Sequence, residues 1–255
     1  VYPAGDLAAH VIGYYSQTYG TSGIEASQND ILQGNRSYAS WSDVLAAMSG
    51  SKQTGNDVVL TLNTTIQQAA QDALAGQTGA CIVMDPETGA VLAMASSPTY
   101  STADFESVIK ASSNDSSSGS LINRATQSLY APGSTFKMVT LATALENNVA
   151  DEKTVFDSPG TMEIGGAAVT NFDSNNYGRQ TLAQATAWSS NTVFGQLGVQ
   201  IGASALVKGA DGFGFDSKIS FDLPTAMSLM TNPKEMTTWE TAWAAAGQPV
   251  GAHSQ

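Results

Sequence analysis

Within Y-A-P-G-S-T-F-K-M-V-T (130–140), Ser134 and Lys137 stand three residues apart. On a helix that spacing puts both side chains on one face. Pro132-Gly133 breaks the chain just ahead of Ser134. The serine therefore falls at a helix start, where unpaired N–H groups and the positive end of the helix dipole gather. Residues 136–145, F-K-M-V-T-L-A-T-A-L, are nearly apolar all round and predict a buried helix, with Lys137 as its one charge. Burial pushes a lysine pKa down from its usual value of about 10.4. A neutral amine beside a hydroxyl is a general base beside a nucleophile, and the N–H of Ser134 is placed to help hold an oxyanion. The plain alternative is a structural lysine that lays its stem on apolar surface and sends its head to water.

Spacing by itself decides little, because Ser-x-x-Lys occurs three times: Ser49–Lys52, Ser107–Lys110 and Ser134–Lys137. The first falls in linker-like sequence, and the second follows a polar run with no buried helix around its lysine. Only the third combines turn, helix start and apolar face. Ser-x-Asn is also repeated, at Ser27–Asn29, Ser112–Asn114, Ser174–Asn176 and Ser189–Asn191. The last lies in W-S-S-N-T-V-F, a short break between two helical patterns. A tight interhelical loop can project a hydroxyl and an amide into a cleft. Ser189 or Asn191 could equally cap the helix that follows, and the two roles are compatible.

The elements that must hold these residues can be read from the rest of the chain. Its 255 residues are 42% hydrophobic and 13% charged, enough for a large core. The formal net charge of −12 argues against nucleic acid as a partner and against a polybasic membrane patch. One cysteine, Cys81 in A-C-I-V-M, reads as a small core residue; with only two histidines, His10 and His253, no zinc site or disulfide framework can be built. No cofactor is expected. No run of ~20 apolar residues is present, and the chain opens on Val1 without signal-like flanks. We therefore expect a trimmed chain or a mature ectodomain.

Residues 1–56 are rich in Gly, Ser, Tyr and Gln and end in a linker, S-G-S-K-Q-T-G-N (49–56). We expect this segment to be a linker or pedestal and residues 57–255 to be the principal domain. Val58–Leu62 reads as a strand, followed by a helix capped by Asn63 or Thr64. Two apolar runs flank Asp85-Pro86-Glu87-Thr88-Gly89 and predict an antiparallel hairpin, covered on both faces. Residues 112–120 read as a polar surface loop. Helices are expected over Ser134 to about Asn147, Leu182–Trp188 and Val193–Ile201, with loop or short strands over Met162–Gly178. Strands and helices around one core give a mixed α/β (α+β) class.

At this point a family resemblance enters. Serine in Ser-x-x-Lys followed by Ser-x-Asn is the pattern of penicillin-binding proteins and serine β-lactamases. Several blocks resemble the transpeptidase domain of penicillin-binding proteins: V-V-L-T-L-N-T-T-I-Q-Q-A-A, G-A-C-I-V-M-D-P-E-T-G-A-V-L-A-M-A-S-S-P-T-Y, N-R-A-T-Q-S-L-Y-A-P-G-S-T-F-K and T-L-A-Q-A-T-A-W-S-S-N-T-V-F-G-Q-L. The opening Y-P-A-G-D-L-A-A-H-V-I-G-Y with T-S-G-I-E resembles the juncture before that domain in class B members. The resemblance implies a β-lactamase/transpeptidase-like fold, a central antiparallel sheet flanked by helices. It also implies a D,D-transpeptidase of peptidoglycan on the extracytoplasmic face of the bacterial membrane. Ser134 would attack the penultimate D-Ala carbonyl of a stem peptide, Lys137 would be the base, Ser189 would relay a proton, and Asn191 would orient Lys137 and bind substrate. The implied partners are stem peptides, β-lactams and other cell-wall synthesis or division proteins, with a membrane anchor outside this chain.

One departure stands out. The family's third motif, Lys-Thr-Gly or Lys-Ser-Gly, is missing from the sequence; Gln53-Thr54-Gly55 and Gln77-Thr78-Gly79 lack the lysine and precede Ser134. The last residues, A-A-G-Q-P-V-G-A-H-S-Q, resemble the segment upstream of that motif, so we expect the C-terminal part to lie beyond Gln255. Two alternatives share the fold: a β-lactamase, which needs a deacylating water and its base, and a β-lactam sensor or scaffold without turnover.

Overall fold

Asn63 ends an extended run and starts a helix. In the computed structural model its side-chain oxygen accepts from Thr65 N (3.0 Å) and Ile66 N (3.1 Å), capping α1 (Thr64–Ala73). The structure describes residues 2–34, 55–114 and 119–248. By its contacts the chain divides into two units, Val1–Ser128 with Ser220–Ala226, and Leu129–Ile219 with Met227–Gln255.

In the first unit, β1 (Gly79–Met84) and β2 (Val91–Ser97) form the expected antiparallel hairpin, in register from Gly79↔Ser97 to Val83↔Ala93. Its turn is held by Asp85, whose carboxylate accepts from Glu87 N. The amide of Gln67 on α1 is buried and bonds both Met94 N (2.8 Å) and Met94 O (3.0 Å), fastening α1 to β2. The expected cover on both faces is found only for β2. Ala93–Ser96 are buried, whereas Ile82 and Met84 on β1 are exposed. Cys81 is half-buried against Ala70, Ala93 and Ala95.

Two further expectations need correction in this unit. Val58–Leu62 forms no strand ladder. It runs extended beside β2, tied by Thr61 Oγ1 to Val91 O (2.6 Å) and by Asn63 N to Leu92 O (2.8 Å). Its alternation is real: Val58, Leu60 and Leu62 pack with Val11, Ile24 and Met94, while Val59 is exposed. Side-chain packing and these two bonds keep the run extended without the repeated backbone exchange that defines a strand. The loop expected from residue 112 is instead helical as far as Asn114, within α2 (Phe105–Asn114). Phe105, Val108 and Ile109 supply the i, i+3, i+4 pattern that extends it. Residues 115–118 of that loop, and 49–54 of the linker, lie outside the described residues.

The second unit holds more helix than strand. A single 3₁₀ turn, Gly133–Phe136, leads into α3 (Lys137–Glu146). Strand β3 (Val155–Ser158) pairs antiparallel with β6 (Gly178–Thr181), and β4 (Thr161–Ile164) with β5 (Ala167–Thr170). Then come α4 (Leu182–Ala187), α5 (Asn191–Ile201), α6 (Ala203–Gly212) and α7 (Thr238–Ala245). Thr181 with Gln184 and Thr237 with Glu240 form reciprocal capping boxes that fix where α4 and α7 begin. Phe136, Val139, Phe156, Leu182, Phe194, Leu197 and Leu206 build the core, each such side chain contributing ~1.5–3 kcal/mol by burial. Helix α3 is buried on one side only; Met138 and Leu145 are exposed, so its apolar character overstates its burial. Helices α5 and α7 touch at Gly198, where a Cβ would lie 2.2 Å from that of Ala245. The class is the mixed α+β one expected, with every described pairing antiparallel. Among the described residues no helix is long and apolar enough to cross a membrane.

Candidate active site

The serine turn is built on two glycines. Gly133 takes φ +57°, a left-handed conformation that favours glycine, and its N–H donates to Gly247 O at 2.9 Å. Gly247 takes φ +89°, and a Cβ there would sit 1.7 Å from Gly133 O. The backbone after α7 thus lies directly against the turn. Ser134 was expected at a helix start; it lies in the 3₁₀ turn that runs directly into α3. In a 3₁₀ turn, residues three apart eclipse each other, which aligns Ser134 with Lys137 more closely than an α-helix does.

Lys137 is 3% exposed, so its head does not reach water, and the snorkelling alternative is set aside. Its Nζ lies 2.9 Å from Ser134 Oγ, 2.9 Å from Ser189 Oγ, 3.1 Å from Ser189 O and 2.7 Å from Asn191 Oδ1. The Phe194 ring centroid is 5.8 Å away. All four oxygen partners are neutral. Burial, which strips water from the ammonium, lowers the Lys137 pKa from 10.5 to about 8.

Ser189 and Asn191 come from the break between α4 and α5. Ser189 takes φ +54°, the left-handed region that a serine seldom enters; its hydroxyl and carbonyl both meet Lys137. The helix cap was expected from Ser189 or Asn191. The structure assigns it to Ser190, whose Oγ accepts from Val193 N (3.2 Å), leaving both neighbours free for Lys137. Asn191 begins α5; its amide nitrogen donates to Thr170 O (2.8 Å) and its amide oxygen faces Lys137. All four candidate residues, Ser134, Lys137, Ser189 and Asn191, therefore meet around one nitrogen.

The other matches do not assemble this way. Ser107 on α2 donates to Asp104 O. Asn176, in Ser174–Asn176, accepts from Gly178 N. Ser49–Lys52 lies outside the described residues. Thr170, Asn171 and Gly247, which support the cluster, were not singled out from sequence. Only the paired small residues of A-A-G-Q could have drawn attention to Gly247; Asn171 carries no local signal.

Known proteins resemble this chain in both sequence and fold. Residues 79–251 match the penicillin binding protein transpeptidase domain, and residues 1–58 match the penicillin binding protein A dimerisation domain. The chain belongs to the penicillin-binding protein transpeptidase family. It is 32% identical over 274 residues to peptidoglycan D,D-transpeptidase MrdA of Acinetobacter baumannii, covering 95% of this chain and 41% of that protein. It is 33% identical over 234 residues to peptidoglycan D,D-transpeptidase PbpA of Mycobacterium tuberculosis, covering 85% of this chain and 48% of that one. The chain thus spans less than half the length of these two curated relatives. A crystal structure of the D,D-transpeptidase domain of a peptidoglycan glycosyltransferase from Eggerthella lenta superposes with a TM-score of 0.89 at 58% identity, covering 100% of this chain and 57% of that one. The imipenem acyl-enzyme of M. tuberculosis penicillin-binding protein A superposes with 0.85 at 30% identity, covering 97% and 60%. The fold is that of penicillin-binding transpeptidase domains.

Proposed function

We propose that the protein containing this chain is a serine D,D-transpeptidase that cross-links peptidoglycan stem peptides and is acylated by β-lactams. The observation that carries the reading is the buried Lys137 amine, 2.9 Å from two serine hydroxyls. The imipenem acyl-enzyme of one structural relative and the D,D-transpeptidase names of the curated relatives support it.

The chemistry follows from the donor count. A neutral amine has two N–H groups and one lone pair. The N–H groups go to Asn191 Oδ1 and Ser189 O; the lone pair faces Ser134 Oγ–H. The Ser134 proton passes to Lys137 Nζ as Oγ bonds the penultimate D-Ala carbonyl carbon. The carbonyl electron pair moves to its oxygen, beside the N–H groups at the start of the turn. As the pair returns, the C–N bond breaks. Ser189 Oγ–H protonates the departing D-Ala amine and is refilled from the Lys137 ammonium. An amine from a second stem peptide then attacks the ester by the reverse path. Asn191 orients Lys137 and binds the substrate backbone. Residues 1–56 serve as a linker or pedestal for this domain. The reaction belongs to the cell wall, and we place the protein on the outer face of the cytoplasmic membrane, carried by an anchor outside this chain. Cell-wall synthesis or division proteins are its further partners.

The test is to give the full-length protein a pentapeptide stem with an amine acceptor and to follow free D-Ala and the cross-linked product. Both should form, and labelled penicillin should stay bound. Rapid release of hydrolysed penicillin would mean a β-lactamase. Stable labelling without cross-linking would mean a sensor, and no labelling a scaffold.

A further inference from the structure

We infer that Asn171 is a positioning residue for acylation, the buried clamp that fixes the Ser189–Asn191 turn and thereby aims Lys137 at Ser134. This rests on the reading of Ser134 as nucleophile and Lys137 as base. Asn171 directly follows β5 and is 3% exposed, and every polar atom of its side chain is engaged. Its Oδ1 accepts from Thr192 N (3.0 Å), Ser190 Oγ (3.2 Å) and Thr192 Oγ1 (3.3 Å). Its Nδ2 donates to Asn175 O (3.0 Å), Pro159 O (3.1 Å) and Ser158 Oγ (3.4 Å). Its own N–H donates to Gly160 O (3.0 Å).

The direction of these bonds matters. Those made by Oδ1 end on Ser190 and Thr192, the residues on either side of Asn191. The residue before the clamp, Thr170, supplies the carbonyl that takes Asn191 Nδ2. With that nitrogen pinned, the amide cannot turn over without facing the ammonium with its own N–H groups. The Thr170–Asn171 pair thus sets both the place and the polarity of the oxygen 2.7 Å from Lys137 Nζ. Ser190 is fully buried, and Ser189 beside it is held at positive φ. A strained serine needs such over-determination from its surroundings. A buried amide that only satisfied the core would have no reason to bracket Asn191, whose amide oxygen faces the base.

A displacement of about 1 Å in a reacting group can cost ~10²-fold in rate. Asn171→Ala in the full-length protein should therefore lower the acylation rate constant at saturating penicillin by ~10–10²-fold. The dissociation constant of the initial complex should change by less than about threefold, and every folded molecule should still take label in the end. Thr192→Val removes one donor to Oδ1 at constant shape and should move the same rate constant in the same direction by a smaller factor. It carries the test if Asn171→Ala does not fold. If label amplitude falls while the rate constant holds, the residue matters to folding alone and the inference is overturned. Unchanged rate constants in both variants overturn it as well. A parent protein that takes no label at all would instead refute the reading of Ser134 and Lys137.

Discussion

The pH dependence of acylation follows directly from the burial of Lys137. Only the neutral amine can accept the Ser134 proton. With an ordinary pKa of 10.5, about 0.03% of lysine would be neutral at pH 7; at the lowered value of about 8 the fraction is about 10%, a gain of ~300-fold. The acylation rate should therefore rise about tenfold from pH 6 to pH 7, bend near pH 8 and stay level above it. Lys137→Arg keeps the charge but cannot deprotonate in this range, so acylation should fall at least ~10²-fold and lose the bend. Stopped-flow with fluorescent penicillin on the full-length protein measures both. A flat profile between pH 6 and 9, a bend near 10.5, or an arginine variant at parental rate would refute the assignment of Lys137 as the base.

The same lysine shapes stability. Its folded pKa lies below its unfolded one, so the unfolded chain holds more protons between about pH 8 and 10.5, and stability rises with pH across that window, by about 3 kcal/mol at most. Thermal denaturation should show this rise in the parent relative to Lys137→Met; the comparison removes the opposing effect of Tyr100, whose buried phenol is raised to about 12. Gly247→Ala places a methyl against Gly133 O at a positive φ; calorimetry should show a loss of about 1–3 kcal/mol, and penicillin labelling a slower rate as the Ser134 turn shifts. Gln67→Leu strips partners from Met94 N and O and should destabilise the first unit by ~2–4 kcal/mol in urea titration, with the labelling rate of folded molecules unchanged.

The candidate site was more legible in the sequence than the frame. Ser134 and Lys137 were legible because their chemistry is local: a turn, a three-residue spacing and an apolar helix suffice. Ser189 and Asn191 were legible as a polar break between two periodic segments. The clamp behind them was not, since Asn171 lies 19 to 21 residues before Ser190 and Thr192, whose groups donate to its Oδ1, and works through tertiary contacts. Gly247 lies more than a hundred residues beyond the turn it packs on, and its need for glycine appears only once Gly133 O is beside it. The strand expected at Val58–Leu62 shows the opposite limit. Alternation reports which side is buried, and it cannot report whether a neighbouring backbone is placed to form a ladder. The capping residue went to Ser190 for a related reason: three consecutive polar residues can each cap, and the buried hydroxyl of Ser158, 2.7 Å from Ser190 Oγ, favours the middle one.

The central claim is that Ser134 is the acylated nucleophile. Full-length protein treated with penicillin and digested for peptide mass mapping tests it most directly. The account predicts one penicilloyl adduct per chain, on the peptide holding Ser134, and its loss in Ser134→Ala. An adduct mapped to Ser189 or Ser107, or one that persists in Ser134→Ala, would contradict it.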